Sequence, residues 1–262
     1  MKALFSSPDL YIARCGRLDC AVVERPVPAP PFLKGLKALL ACDLHALPRT
    51  TDADMRSLAE KIAGLKPDLL LLGGDYADRR EDAVRLFSAL AAVKPRLGGY
   101  GVAGNNDAEA WDGMDGLRGV MAKAGFGLLV NESARIAVGG GTLYIGGVDE
   151  HKHGAPRSKG LYPDRPAPDT YRVLLSHYPC LPDSMPDLML SGHTHGGQFN
   201  ALGLTPFSIG FERLFRRDIR SLAVSGVHDI GGMKLLVSKG VGASRLQLRA
   251  GVRPEIDLIR FV

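Results

Sequence analysis

Asp43-x-His45, Gly74-Asp75, Gly104-Asn105, His177 and Gly192-His193-x-His195 occur in that order along a chain of 262 residues. Each follows a short apolar run, so each metal-capable side chain is expected where a buried strand releases the chain into a loop. Two divalent ions about 3.5–4 Å apart can clamp the attacking and leaving oxygens of an in-line displacement at phosphorus. Such a site needs a carboxylate able to touch both ions, and Asp75 is the candidate. Asp43, His45 and His195 would complete one ion's shell, and Asn105, His177 and His193 the other's. Imidazole and carboxylate without thiolate suit Mn first, then Fe, Zn, Co or Ni, and argue against a structural cysteine–zinc site. The small residues Gly192, Thr194, Gly196 and Gly197 leave room for metal and substrate near the backbone.

Each fragment alone has a plainer reading. Asp-x-His after a strand is usually a turn with a surface histidine, Gly-Asp is a common turn, and His177 before Tyr178-Pro179 could be a satisfied core histidine. The ordered set, with every member at a strand end, outweighs those readings.

The elements that must position these residues are short apolar runs. Leu36 to Cys42, Asp68 to Leu72, Tyr100 to Ala103, Leu143 to Ile145, Tyr171 to Leu175, Leu188 to Leu190, Met233 to Val237 and Ile256 to Val262 read as strands, several buried on both faces. Between the first three lie helical patterns. Thr51 or Asp52 caps a helix whose Met55, Leu58, Ala59, Ile62 and Leu65 recur at helical spacing, with Pro67 beyond its end. Val84, Phe87, Leu90 and Ala91 form a second apolar face, and Trp111 to Ala124 is expected as a third helix. Leu128 to Val138, Gly139-Gly140-Gly141 and Thr142 to Ile145 read as a hairpin rather than a phosphate cradle. Helices alternate with strands in the first half and strands dominate the second, which predicts a layered α/β domain rather than a single open parallel sheet.

Composition sets wider bounds. Hydrophobic residues at 45% and charged residues at 23% suit a globular chain with a sizeable core and exclude general disorder. Thirty-three Lys+Arg against 28 Asp+Glu give +5, which mildly favours anionic substrates or surfaces. Cys15, Cys20, Cys42 and Cys180 form no Cys-x-x-Cys pair and predict no disulfide framework. Residues 1–16 lack a signal-peptide apolar core, and no run approaches about 18 apolar residues. A cytoplasmic protein is expected. One domain over 1–262 accommodates the chain, with an amino-terminal strand and Pro-rich connector over 1–35.

The set Asp43-Leu-His45, Gly74-Asp75-Tyr-Ala-Asp78-Arg79, Gly104-Asn105-Asn106-Asp107, His177 and Gly192-His193-Thr-His195 resembles the calcineurin-like metallophosphoesterases. Gly192 to Gln198, a Gly-His-Thr-His-Gly-Gly-Gln run, is similar to a bacterial branch of that family. The likeness continues through Leu129-Val-Asn131-Glu132, Gly146-Gly147-Val148-Asp149, Val237-Ser-Lys-Gly240-Val-Gly242 and Arg253-Pro254-Glu255-Ile256. It implies a four-layer αββα sandwich of two mixed β-sheets flanked by helices, the two-metal ligand set above, and a metal-bridging hydroxide as nucleophile.

Two departures from the family stand out. Cys42 replaces the usual serine before Asp43, and strand alternation predicts a packing role for it. Asn106 occupies the place of the family's usual histidine, a proton donor to the leaving oxygen or a stabiliser of transition-state charge. Asparagine donates a hydrogen bond but delivers no proton near neutral pH. Phosphodiester or pyrophosphate bonds are therefore the expected targets, rather than alkyl monoesters. Arg79 is a candidate phosphate contact by its resemblance to phosphoprotein phosphatases, or else a surface partner of Asp78.

Residues 201–221 mix Leu202, Leu204, Phe207, Ile209, Phe211, Leu214 and Phe215 with Arg213, Arg216, Arg217 and Arg220. This segment either folds onto the core or meets a membrane surface or a lipid-linked substrate. The branch includes enzymes that cleave UDP-diacylglucosamine, so a lipid-linked pyrophosphate is one expected substrate. The alternatives are a phosphomonoesterase or protein phosphatase, a nuclease of the same superfamily, and a metal-bound scaffold without activity. No specific nucleic-acid partner is expected, because only the net charge suggests one and no extended Arg- or Lys-rich face with stacking aromatics emerges from the sequence.

Overall fold

The protein is described here by a computed structural model covering residues 3–6, 11–163, 167–200, 204–205, 221–244 and 246–262. The strands in chain order are β1 (Ala3–Ser6), β2 (Tyr11–Arg14), β3 (Ala21–Val27), β4 (Lys37–Ala41), β5 (Leu69–Leu72), β6 (Gly99–Gly101), β7 (Phe126–Leu128) and β8 (Glu132–Val138). They continue as β9 (Gly141–Gly147), β10 (Thr170–Leu175), β11 (Leu188–Ser191), β12 (Gly226–Ile230), β13 (Met233–Val237), β14 (Leu248–Ala250) and β15 (Glu255–Phe261). Four α-helices are described: α1 (Asp52–Gly64), α2 (Arg80–Leu90), α3 (Asn105–Ala110) and α4 (Asp115–Ala124).

Two six-stranded sheets carry the architecture, in the orders β3-β15-β4-β5-β6-β7 and β12-β13-β11-β10-β9-β8. Both are mixed: β4, β5 and β6 run parallel while β15 opposes β4, and β9, β10 and β11 run parallel while β8 opposes β9. Alternating side chains divide the apolar residues between layers. Ala38, Leu40, Leu69, Leu71, Val173, Leu175, Leu188 and Leu190 fill the space between the sheets. Leu39, Ala41, Leu70 and Leu72 face outward under α1, α2 and α4. This is the mixed α/β, two-sheet sandwich of the metallophosphatase fold. The described helices lie on the first sheet. On the outer face of the second, Val148, Leu161 and Tyr162 from loop segments pack over Leu174, Met189 and Leu235.

Thr51 caps α1 in a reciprocal capping box with Asp54, as its sequence predicts. Two expectations need correction. The apolar face of α2 is turned, so that Ala83, Leu86, Phe87 and Leu90 are buried while Val84 is 44% exposed. The third helix begins at Asn105 rather than Trp111 and is split, because the chain leaves helical geometry at Trp111 and Gly113 takes φ 79 before α4 starts. The hairpin β8–β9 turns through Gly139 and Gly140 as expected. A small sheet, β1-β2-β14, joins residues near the two ends of the chain. Of the segment 201–221, only Leu204, Thr205 and Ser221 are described, so the membrane expectation falls outside the described residues.

Candidate metal centre

All seven predicted ligands sit just past the carboxyl ends of parallel strands. β4 leads to Asp43 and His45, β5 to Asp75, β6 to Asn105, β10 to His177, and β11 to His193 and His195. Loops at that end of open α/β sheets are where ligands bind. Backbone hydrogen bonds tie the loops together, with Asp43 N donating to Gly74 O at 2.9 Å, His45 N to Asp75 O at 3.0 Å, and Gly192 N to His177 O at 3.1 Å. Five of the seven adopt left-handed backbone: Asp43, His45, Asp75, His193 and His195 have φ between 41 and 68. Such conformations cost energy in non-glycine residues and gather at functional sites. Gly104 and Gly192 permit the close approach, since a Cβ at either would lie 2.2 Å from Asp75 Oδ1 or 2.4 Å from Asp43 Oδ2.

Asp43, His45, Asp75 and His195 each offer a ligand atom within 4.8 Å of the others, and all four are buried. Asp75 Oδ2 lies 3.4 Å from His45 Nε2 and 3.5 Å from His177 Nε2, and His195 Nε2 lies 3.6 Å from Asp43 Oδ1. These spacings exceed hydrogen bonds. They match the edge of a metal polyhedron, because two atoms about 2.1 Å from one ion at a tetrahedral angle stand about 3.4 Å apart. His193 stands beside this cluster, its ring 5.1 Å from that of His177 and stacked 3.7 Å from that of Tyr178. Asn105 Oδ1 accepts from Tyr178 Oη at 3.2 Å.

Partners behind the rings aim the nitrogens. His45 Nδ1 faces Asp78 Oδ1 at 3.0 Å and His177 Nδ1 faces Gly73 O at 2.8 Å. Both partners only accept, so each ring places its proton there and turns the Nε2 lone pair inward. Neither Nε2 has a hydrogen-bond partner, although both are buried. Buried polar atoms are rarely left so, and two converging on one carboxylate oxygen fit divalent ions. His195 is set differently. Arg249, wholly buried on β14, donates to the Gly242 and Lys239 carbonyls at 2.6 and 2.7 Å and stands 3.2 Å from His195 Nδ1. Arginine only donates, so this contact favours the tautomer protonated at Nε2, and ion binding there requires that proton to leave.

The electrostatics agree with a cation site. Burial opposes charge on Asp75, yet His177, His45 and the Asn106 amide outweigh it and hold its carboxyl below the ordinary range. Against the cost of burial, Asp75 and Asp43 push His177 up to about 10. Burial pushes Asp43 up to about 6. Burial, reinforced by His177, drops His193 to about 3, and burial, reinforced by His45, drops His195 well below its usual value. The latter two rings are neutral near pH 7, as ligands must be. A site that holds a proton so firmly between carboxylates favours positive charge of any kind, including a metal ion.

A family model of calcineurin-like phosphoesterases matches residues 36–197, a span that contains all seven residues. This chain belongs to that family. It is 31% identical over 255 residues to phosphodiesterase YaeI of Escherichia coli, covering 89% of this chain and 83% of that protein. An uncharacterized metallophosphoesterase of Aquifex aeolicus is 30% identical over 234 residues, covering 86% and 84%. A bovine transmembrane protein with a metallophosphoesterase domain is 27% identical over 257 residues, covering 89% of this chain and 55% of that protein. Calcineurin-like phosphoesterases are phosphoester hydrolases that use divalent metals. No helix among the described residues is long and apolar enough to cross a membrane.

Within this phosphoesterase site, a cleft of about 250 Å³ is lined by Asp75, Asp78, Asn105, Asn106, Glu109, Lys152, His193, His195 and Ser244. Asn106 thus stands on the cleft wall, its backbone N–H donating to Asp75 Oδ1 at 2.8 Å and its Nδ2 to Asp78 Oδ1 at 3.2 Å. Arg79 does not line the cleft; it is an exposed residue at the amino-terminal cap of α2. Among the described residues, the cation that does is Lys152, between His151 and His153 in sequence. His151 lines a separate cavity with Val148, Leu174 and Met189. Cys42 is buried between the sheets, as expected of a packing residue.

Two carboxylates were also missed. Asp78 belongs to the motif Gly74-Asp75-Tyr-Ala-Asp78-Arg79 but has no ligand or orienting role in the sequence expectation; three residues past Asp75, it reaches His45 Nδ1 at 3.0 Å. Asp107, 1% exposed, accepts from the backbone amides of Asp75, Tyr76 and Gly104 at 2.7, 3.1 and 2.9 Å, clamping the two loops that bear Asp75 and Asn105. Its place directly after Asn106 was visible, but its partners are not local.

Proposed function

We propose that this phosphoesterase hydrolyses phosphodiester or pyrophosphate bonds at a two-metal site. Asp43, His45, Asp75 and His195 would hold one ion; Asp75, Asn105, His177 and His193 would hold the other, with Mn as the expected metal. Bound ions of this kind activate water and clamp the oxygens of an in-line displacement at phosphorus. The observation that carries the reading is Asp75 Oδ2, placed 3.4 and 3.5 Å from the partnerless Nε2 atoms of His45 and His177.

The residues of the chain then have distinct tasks. Asp78 and the Gly73 carbonyl orient His45 and His177. Asp107 keeps the Asp75 and Asn105 loops in register. Gln198 exchanges two hydrogen bonds of 3.1 Å with the backbone of Ser244, which presents that residue to the cleft. Asn106 offers the leaving oxygen a hydrogen bond and no proton, which favours leaving groups that depart unaided. The name of the E. coli relative supports the diesterase direction. Nucleotide- or lipid-linked pyrophosphates belong to the same substrate class.

Elemental analysis combined with a substrate panel tests this. With Mn added, an aryl phosphodiester and a nucleoside-diphosphate sugar should be turned over well ahead of an alkyl phosphomonoester. A clear preference for the alkyl monoester, or protein that holds no metal, would sink the proposal.

A further inference from the structure

Across the cleft mouth, Lys152 Nζ and His153 Nε2 both reach Glu109 Oε1, the histidine at 3.1 Å. Glu109 belongs to α3, three residues and so about one helical turn beyond Asn106, or about 4.5 Å along the axis. Glu109 and Lys152 thus line the same cleft as Asn106, Asp75 and His193. Among the described residues of the cleft lining, Lys152 is the one Lys or Arg, and Asp75, Asp78 and Glu109 supply carboxylates.

The loop that carries Lys152 is firmly built. Glu150, 1% exposed, accepts the backbone amides of Lys152 and His153, each at 2.7 Å. Asp149 accepts those of Glu150 and Ala155 at 2.8 and 2.9 Å, and Asn131 Oδ1 accepts those of Asp149 and Arg157 at 3.1 and 2.8 Å. Gly154 packs so tightly that a Cβ would lie 2.4 Å from the Asp149 carboxylate. The lysine–glutamate pair itself is weakly committed. With side chains 37% and 49% exposed, it is a surface ion pair of the kind that contributes little stability. A rigid loop thus presents a cation to the cleft, and an easily displaced carboxylate holds its place.

We infer that Lys152 is a substrate-binding residue for a second, non-reacting phosphoryl or equivalent anionic group, and that Glu109 occupies its ammonium until such a group arrives. The substrate class narrows to pyrophosphate-linked molecules over singly charged diesters. This rests on the two-metal phosphoesterase reading for the position of the reacting phosphoryl group.

Calorimetry on the Mn-loaded protein with methylenediphosphonate, which cannot be hydrolysed, tests it, with inorganic phosphate as the single-anion control. Lys152→Met should weaken diphosphonate binding about tenfold or more, as loss of a charge-assisted contact does, and should weaken phosphate less. Glu109→Gln should tighten diphosphonate binding, because it removes the competing carboxylate. A structural strut predicts instead that both variants weaken binding together. That outcome, or unchanged binding in a folded, metal-loaded Lys152→Met protein, would overturn the inference. A kinetic arm separates the two readings. If wild type cleaves neither diester nor pyrophosphate while the variants still move diphosphonate binding in opposite directions, the hydrolytic reading fails and Lys152 keeps its role. If wild type cleaves either and the variants move together, the reverse holds.

Discussion

Asp78 Oδ1 lies 3.0 Å from His45 Nδ1, and this contact turns the Nε2 of His45 onto Asp75. A carboxylate behind a metal-binding imidazole fixes its tautomer and raises its basicity, and loss of such a partner typically costs about 10–100-fold in metal affinity or activity. Asp78→Ala should therefore weaken one Mn site by about that factor in calorimetric titration. Because the Asp78 side chain is 37% exposed, thermal stability in chelator should hardly change. Two unaltered sites would mean that His45 is held without it.

Asp75→Asn probes the centre itself. Asparagine keeps the shape but not the charge, so a carboxylate shared by two ions, as proposed, would be lost. Metal content should fall from about two ions per chain towards none, and hydrolysis should be abolished, if Asp75 serves both ions in the way two-metal sites require. Elemental analysis after gel filtration checks this. Retention of one full equivalent would show that Asp75 serves a single ion.

The strand ends were legible because β4, β5, β10 and β11 are apolar on both faces in their last residues and give way to glycine or polar residues, so the sequence marks where each chain segment emerges. The candidate ligands close in sequence to those ends, from Asp43 to His195, stand out for the same reason. Contacts that link distant segments do not. Arg249 lies between Leu248 and Ala250 in a three-residue strand that looks surface-bound, yet it is wholly buried against the His195 loop, 54 residues away. Lys152 reaches Glu109 across 43 residues, and only the folded loops reveal which of three adjacent basic or imidazole side chains faces the cleft. The face of α2 was misread because periodicity names a stripe without naming its partner, and packing under the first sheet favours Ala83 over Val84.

The pH dependence of stability should reveal His177. Its folded pKa is raised to about 10, whereas an unfolded histidine titrates near 6.5. Between those values the folded protein holds the extra proton, so stability falls as pH rises. The contribution is present in full below about 6.5 and is lost through about 10. Protein kept in chelator should melt at progressively lower temperature from pH 7 to pH 10, and His177→Gln should flatten that slope. Mn should flatten it too, since the ion replaces the proton. A chelated wild type with no slope would contradict the placement of His177 against Asp75.

Asn106→His offers the sharpest comparison. Asn106 Nδ2 is 3.2 Å from Asp78 Oδ1, so an imidazole introduced there would meet a carboxylate that favours its protonated form. The variant would gain a proton donor on the cleft wall without disturbing the backbone N–H that binds Asp75. General acid catalysis is worth about 10²–10⁴-fold where the leaving group is poor. Turnover of an alkyl phosphomonoester should therefore rise relative to that of an aryl diester, by up to about a hundredfold, and its rate should acquire a decline at high pH as the imidazolium is lost. Misalignment of the new ring with Asp78 would reduce the gain but preserve the high-pH decline. An unchanged ratio and an unchanged profile would show that Asn106 does not face the leaving oxygen, and the proposed preference for diester or pyrophosphate bonds would lose its basis.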